Sequence, residues 1–280
     1  MRTATEVMVV FLVSGVLLMG GCVTAGEPPF DTVTYAERAS EADTAFGWYA
    51  YLPAGHDEVA IRRLTLPGEW ERGYDRLPVD VYYPPDFRYR RKEPVVVVIA
   101  GAVKWSSNIS LGAMLAAEGT TAVVIDSLGA GEALRNAMAQ LLARADDLFI
   151  DPARLAVWTE GHSSPEALEA VLDPDWAHHD CLQAAVFVSP VMFLGAAAGF
   201  TYDPTKMASD VPIFIARAED DEFYEVRASI SRFMEAAEPQ GIPVTYVESP
   251  IGGHNWMLEE RAPEATEVIQ EALAFLSSRL

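Results

Sequence analysis

The sequence predicts an α/β domain with a mostly parallel sheet, antiparallel leading strands and flanking helices. A continuous apolar, β-branched run at 94–100 (PVVVVIA) is typical of a strand buried on both faces of a parallel sheet. Beyond this run, strand-like and helix-like segments alternate regularly. Half of the 280 residues are apolar, which is enough for one sizeable core. A second domain is therefore not needed.

Charge and cysteine content narrow the class of protein. The chain has 20 Lys and Arg against 41 Asp and Glu, a net charge of −21. Such an acidic surface disfavours nucleic acid and anionic membrane surfaces as partners. The two cysteines, Cys22 and Cys181, offer no disulfide framework for a chain of this size. We therefore expect an acidic α/β protein that binds no nucleic acid.

Residues 1–21 have the features of a secretory signal. Arg2 precedes an apolar run at 7–19 that is too short to remain a membrane span. Small residues before Cys22 resemble a bacterial lipoprotein box, which predicts cleavage and lipidation at Cys22. An ordinary signal peptide or short anchor is the alternative. Because Val23 and not aspartate follows, we expect an extracytoplasmic location in the cell envelope, at the outer membrane if the cell is Gram-negative.

The remaining chain divides into a tether and one domain. Residues 22–45 lack apolar periodicity and contain Pro28-Pro29, so we predict a tether there and a domain at 46–280. Alternation and turn residues predict two antiparallel strands first. The predicted strands are 58–66, 77–83, 94–100, 121–125, 154–158, 184–189, 212–216 and 243–248. The predicted helices are 111–118, 132–148, 165–172, 225–237 and 262–280.

Three motifs at predicted strand ends carry a family resemblance. They are VVVVIAGA at 95–102, PIFIARAEDDEFY at 212–224 and GGHNW at 252–256. Over residues 58–280 the chain resembles the α/β hydrolases, particularly their dienelactone-hydrolase and esterase-like branch. The resemblance implies Asp221 as the catalytic acid, with Asp220 as the neighbouring candidate, and His254 as the base. It also implies an oxyanion amide from Ala102 or Val103. The short segment at 192–200 implies a minimal lid or none.

The nucleophile elbow of this resemblance falls in DPARLAVWTEGHSSPEAL, residues 151–168, and admits two registers. By pattern, GHSSP resembles the family's Gly-His-Ser-x-Gly, with Ser163 as the nucleophile and Ser164 N–H in the oxyanion hole. By spacing from the strand, the nucleophile position falls on Gly161, which has no reactive side chain. Ser163 and Glu166 also match a capping box, which would aim the Ser163 hydroxyl at the helix.

Two functions follow from these registers. The first is a lipid-anchored serine hydrolase of carboxylic esters or related small acyl substrates, using Ser163, Asp221 and His254. The second is a catalytically disabled hydrolase fold that serves as an envelope binding or interaction protein. We expect neither a metal nor a cofactor, because 178–181 (HHDC) suits a loop with a buried thiol and 129–131 (GAG) lacks the third glycine of a dinucleotide site.

Overall fold

The computed structural model describes residues 30–42, 44, 47–70, 74–88, 91–100, 105–126, 131–192, 209–258 and 263–280. Several predictions lie outside these ranges: the signal segment with Cys22, the oxyanion amides of Ala102 and Val103, and most of the 192–200 segment. None of the helices in the described part of the chain is long and apolar enough to cross a membrane.

The described residues form a nine-stranded mixed sheet. Its strands are β1 (Val33–Thr34), β2 (Ala60–Trp70), β3 (Tyr74–Tyr83), β4 (Glu93–Ala100), β5 (Thr121–Asp126), β6 (Ile150–Glu160), β7 (Leu182–Val188), β8 (Ile213–Ala218) and β9 (Val244–Ser249). Their spatial order is β1-β2-β3-β5-β4-β6-β7-β8-β9. The pairings from β1 to β5 along this order are antiparallel, and the others are parallel. The predicted mostly parallel sheet with antiparallel leading strands is confirmed.

Helices cover both faces of this sheet. The helices are α1 (Tyr35–Ser40), α2 (Ser106–Ala117), α3 (Gly131–Ala143), α4 (Ala145–Leu148), α5 (Ser164–Val171), α6 (Tyr224–Ala237) and α7 (Pro263–Ser277). Buried residues of α1, α2 and α7 pack on one face, and those of α3 to α6 pack on the other. In β4, Val95 and Val97 enter one core while Val96 and Val98 enter the second. This alternation explains why the strand is apolar at every position.

The first strand and helix correct the predicted tether boundary. Thr34 and Glu37 form a capping box: Glu37 N–H donates to Thr34 Oγ1 at 3.2 Å, and Thr34 N–H donates to Glu37 Oε2 at 2.7 Å. One turn later Arg38 is buried and its Nε donates to Asp80 Oδ2 at 2.5 Å. Residues 33–40 therefore belong to the domain. These residues lack apolar periodicity because they bind to the domain through the pairing of β1 with β2 and through the Arg38–Asp80 ion pair.

Element boundaries differ from the predictions where a local signal was overridden. β2 continues through Pro67 to Trp70 with a shift of register, because a sheet edge accommodates proline. The predicted helix at 132–148 is divided at Arg144 into α3 and α4. α2 begins at Ser106, earlier than predicted, and the Ser106 hydroxyl donates to Gly47 O.

Parallel strands place their carboxyl ends on one edge of a sheet, which is where α/β proteins build their sites. The segments that follow β6, β8 and β9 therefore meet at one edge. They carry the predicted elbow, acid and histidine.

Candidate active site

Gly161 forms the apex of the turn between β6 and α5. β6 continues to Glu160, so the turn 161–163 begins directly at the glycine. Gly161 has a φ of +52°, which favours glycine because L side chains rarely adopt it. Its carbonyl accepts the Val191 N–H at 3.0 Å and the N–H of Ser164. This is the strained strand-to-helix turn that an elbow requires.

Asp221 and His254 lie side by side at the ends of the next two segments. His254 Nδ1 lies 3.1 Å from Asp221 Oδ2, and the Asp221 side chain has no exposed surface. Asp221 Oδ1 accepts the N–H of Phe223 at 2.9 Å, which fixes the carboxylate further. The neighbouring candidate acid, Asp220, is exposed. A carboxylate is a hydrogen-bond acceptor, so the nitrogen that contacts it must carry a proton. In the neutral imidazole this contact places the proton on Nδ1 and leaves Nε2 as an acceptor.

The imidazole faces Gly161. A Cβ built on Gly161 would lie 3.6 Å from His254 Nε2, and this is the one contact within 4 Å that it would make with described residues outside its own neighbours. A side chain at position 161 would therefore lie directly at the nitrogen that accepts the nucleophile's proton in a serine hydrolase. The position is occupied by a residue without a side chain.

Ser163 does not take that position. The described residues show no hydrogen bond between Ser163 Oγ and His254, and Ser163 lies two residues beyond Gly161 inside a 3-10 turn. The geometry favours the register by spacing, because Gly161 and not Ser163 lies opposite the imidazole, over the nucleophile role predicted for Ser163 by pattern. The physical reason is that β6 extends to Glu160 and puts the apex at residue 161.

Two other predictions at the elbow are also corrected. Ser163 has helical backbone angles, φ −81° and ψ −8°, and makes no side-chain capping hydrogen bond to α5. A capping serine ordinarily has an extended backbone, which the preceding 3-10 turn prevents here. The Ser164 N–H is bound to the Gly161 carbonyl, so it is not directed at an oxyanion. In the register of the structure, His162 provides the amide that follows the nucleophile position.

Glu222 is a site residue that the sequence analysis missed. Its Oε2 accepts the backbone N–H of His254 at 2.8 Å. Backbone N–H groups, its own and that of His254, lower the pKa of the exposed Glu222 carboxyl. A Cβ at Gly253 would contact this carboxylate, so a larger residue there would require the exposed Glu222 side chain to move. The run EDDEF thus holds His254 twice, through its ring by Asp221 and through its backbone by Glu222.

One aromatic contact with the imidazole and one hydrogen bond of the histidine loop add to the support of His254. The Phe223 ring lies edge-on to the imidazole with the ring centroids 4.5 Å apart. Trp256, buried two residues after the histidine, donates from Nε1 to Ser189 Oγ at 3.1 Å. Ser189 follows β7, so this bond joins the histidine loop to the end of β7, two strands away from β9 in the sheet. The imidazole is therefore held in one orientation by the surrounding elements.

Glu160, directly before Gly161, is a second group that the sequence analysis missed. Its Oε1 accepts a 3.4 Å hydrogen bond from Trp158 Nε1, and burial raises its pKa to about 8. The sequence signal that could have identified Glu160 is a carboxyl residue that directly follows the apolar residues of a central strand. At neutral pH the group is therefore largely protonated in the folded protein and ionised in the unfolded chain.

We expect the contribution of Glu160 to stability to fall as the pH rises from about 5 to about 8. In this window the folded state holds a proton that the unfolded state has lost, so stability decreases with pH. At 1.36 kcal/mol per pKa unit, a fully buried group would lower the free energy of unfolding by several kcal/mol over this range. Because the Glu160 side chain is partly exposed, we expect a loss of ~1–2 kcal/mol. Urea unfolding of native protein and Glu160→Gln at pH 5 to 8 measures it. A stability difference between the two that is constant over this range would refute the assignment.

The remaining candidate groups have structural roles. His179 Nε2 contacts the Val171 carbonyl at 3.0 Å and is buried, and Cys181 is a half-buried thiol. Within the described ranges, no group of three or more His, Cys, Asp or Glu side chains is arranged to hold a metal ion.

Known esterases have similar structures. Esterase 2 of Thermogutta terrifontis phosphoramylated by tabun matches with a TM-score of 0.61 and 18% identity, over 77% of this chain and 94% of that chain. The native form of that esterase matches with a TM-score of 0.61 and 17% identity, over 77% of this chain and 92% of that chain. Esterase Est22 matches with a TM-score of 0.65 and 13% identity, over 87% of this chain and 85% of that chain. No family model and no curated protein matches the sequence.

At these identities the similarity establishes the fold. Together with the strand order, it shows that the chain has the α/β-hydrolase fold, as the sequence motifs predicted.

Proposed function

We propose that this protein is a lipid-anchored envelope protein whose α/β-hydrolase site binds carboxylic esters or related acyl compounds without forming an acyl-enzyme. The observation that carries the proposal is the position of Gly161 opposite His254 Nε2. Glycine cannot become acylated through a side chain, yet the acid and histidine that define an acyl site are both present. The solved structures of similar fold are esterases, which supports an ester-like ligand.

The surroundings of His254 support an apolar ligand portion. Phe223, whose ring contacts the imidazole, is 41% exposed, and Tyr224, the next residue in the chain, is 78% exposed, although large aromatic side chains are usually covered. An exposed aromatic side chain in contact with the histidine is suited to contact an acyl or aryl group.

The lipid anchor is supported by the sequence around Cys22. Small residues precede this cysteine and follow an apolar run of signal-peptide length. Mass spectrometry of the mature amino terminus should find a lipid-modified Cys22, and an unmodified cysteine or an intact leader would contradict the anchor.

A serine-directed fluorophosphonate probe tests the absence of an acyl-enzyme. We expect no labelling of the native protein, whereas an active serine esterase labels; esterase 2 of Thermogutta terrifontis, which tabun phosphoramylates, is the positive control. Binding is measured separately by the shift of the His254 ring signals in NMR spectra on addition of N-phenyl amides of increasing acyl length. Stoichiometric labelling at Ser163, or no response to any acyl compound, would refute the proposal.

A further inference from the structure

We propose that the His254–Asp221 pair activates a water molecule beside Gly161, so that the protein hydrolyses activated acyl esters by direct attack of water. This inference rests on the proposed function, since it requires that the site bind acyl compounds. It adds a chemical step to that binding, and it assigns the step to a general base instead of a nucleophilic side chain.

Space for the attacking oxygen is provided by Gly161. The built Cβ lies 3.6 Å from His254 Nε2 with no other described atom within 4 Å outside the adjoining residues. A hydroxyl on that carbon would reach hydrogen-bond distance of Nε2. Because glycine has no side chain, a water oxygen can occupy the same volume at about 2.8 Å from the nitrogen. Water thus takes the place that a serine hydroxyl has in a serine hydrolase.

The histidine has the proton arrangement that a general base requires. Asp221 holds the proton on Nδ1, and its carboxylate has no exposed surface, so it faces the imidazole without competition from solvent. The lone pair of Nε2 is therefore directed at the space above Gly161. When Nε2 takes a proton, the buried carboxylate stabilises the resulting imidazolium. General-base catalysis of this kind contributes about 10²- to 10⁴-fold.

The proposed step balances with water as the only co-reactant. A water proton moves to Nε2 as the water oxygen forms a bond to the acyl carbon, and the carbonyl electrons become an oxyanion. The amide that follows Gly161 in the chain is that of His162, in the turn into α5, and we assign it as the donor to the oxyanion. Collapse breaks the bond to the leaving oxygen or sulfur, which takes the proton from Nε2. The products are a carboxylic acid and a phenol or thiol.

The substrate class follows from the absence of a covalent intermediate. Water is a weaker nucleophile than an activated serine in a preorganised site, so the acyl carbon must be reactive. Aryl esters and thioesters have good leaving groups and meet this condition. Simple alkyl esters and amides do not.

Hydrolysis of p-nitrophenyl acetate by the purified chain tests this step. We expect a rate above buffer without a burst of nitrophenol, and the same rate after exposure to a fluorophosphonate. His254→Ala should lower the protein-dependent rate about 100-fold or more. Asp221→Asn should also lower it, because the amide no longer fixes the proton on Nδ1. His178→Ala is the matched control, since this half-buried loop histidine lies against Trp176 and should leave the rate unchanged.

The outcomes separate this inference from the proposed function. If the native rate equals that of His254→Ala while acyl amides still shift the His254 signals, the water step is refuted and the binding function stands. If a fluorophosphonate labels the protein and abolishes turnover, both are refuted, because an acyl-enzyme then forms. Circular dichroism and the thermal midpoint of each variant exclude unfolding as the cause of a lost rate.

Discussion

Gly161→Ser is expected to make the protein react covalently with a fluorophosphonate, accelerating labelling about 10²- to 10⁴-fold over the native chain. The new hydroxyl would extend from a Cβ that lies 3.6 Å from His254 Nε2, and Asp221 already orients that imidazole. Removing the serine of a mature protease costs about 10⁶-fold, so a newly introduced serine should recover only part of such a factor. Labelling is followed by gel fluorescence and peptide mass spectrometry.

Gly161→Ala is the matched control for this substitution. Both variants place a Cβ at a φ of +52°, which costs about 1–3 kcal/mol, so both should lose similar stability. Only the serine variant has a hydroxyl and should label. If Gly161→Ser has the same thermal midpoint as Gly161→Ala and stays unlabelled, residue 161 is not the nucleophile position.

Arg38→Met is expected to lower the free energy of unfolding by about 3–5 kcal/mol. Arg38 and Asp80 are 1% and 3% exposed, and their side chains meet at 2.5 Å. Burial already raises the pKa of Asp80, and Arg38 opposes this shift. In Arg38→Met the Asp80 carboxylate stays buried but loses the guanidinium. This lowers the free energy of unfolding far more than the loss of a surface ion pair does. Urea unfolding at neutral pH measures the change.

The exposed pair Lys92–Asp146 provides the comparison. Its side chains are 48% and 91% exposed, so Asp146→Ala should change stability by less than about 1 kcal/mol. Arg38→Met with Asp80→Leu should recover part of the loss, because no unpaired charge remains. If Arg38→Met has no more effect than Asp146→Ala, residues 33–40 behave as the tether that the sequence predicted.

Strong local patterns allowed most of the fold to be predicted. The apolar run at 94–100 became β4 because a strand covered on both faces needs apolar residues at every position. Strand β1 and helix α1 were not predicted, because two paired residues and one ion pair leave no period in the sequence. The extension of β6 to Glu160 was missed for a related reason: sheet pairing with β7 continues past the apolar residues.

The sequence by itself determined that three chemically suited segments follow three parallel strands, because strand order and apolar periodicity are local properties. It also identified Asp221 and His254 as candidate site residues at those strand ends. Only the tertiary structure decided which elbow residue faces the histidine, because the residue at which β6 ends sets which residue forms the apex of the turn opposite Nε2. The same is true of Glu222, whose contact with the His254 backbone joins loops 32 positions apart in the sequence. The stretch that resembles a serine elbow thus presents a glycine to an intact acid–histidine pair.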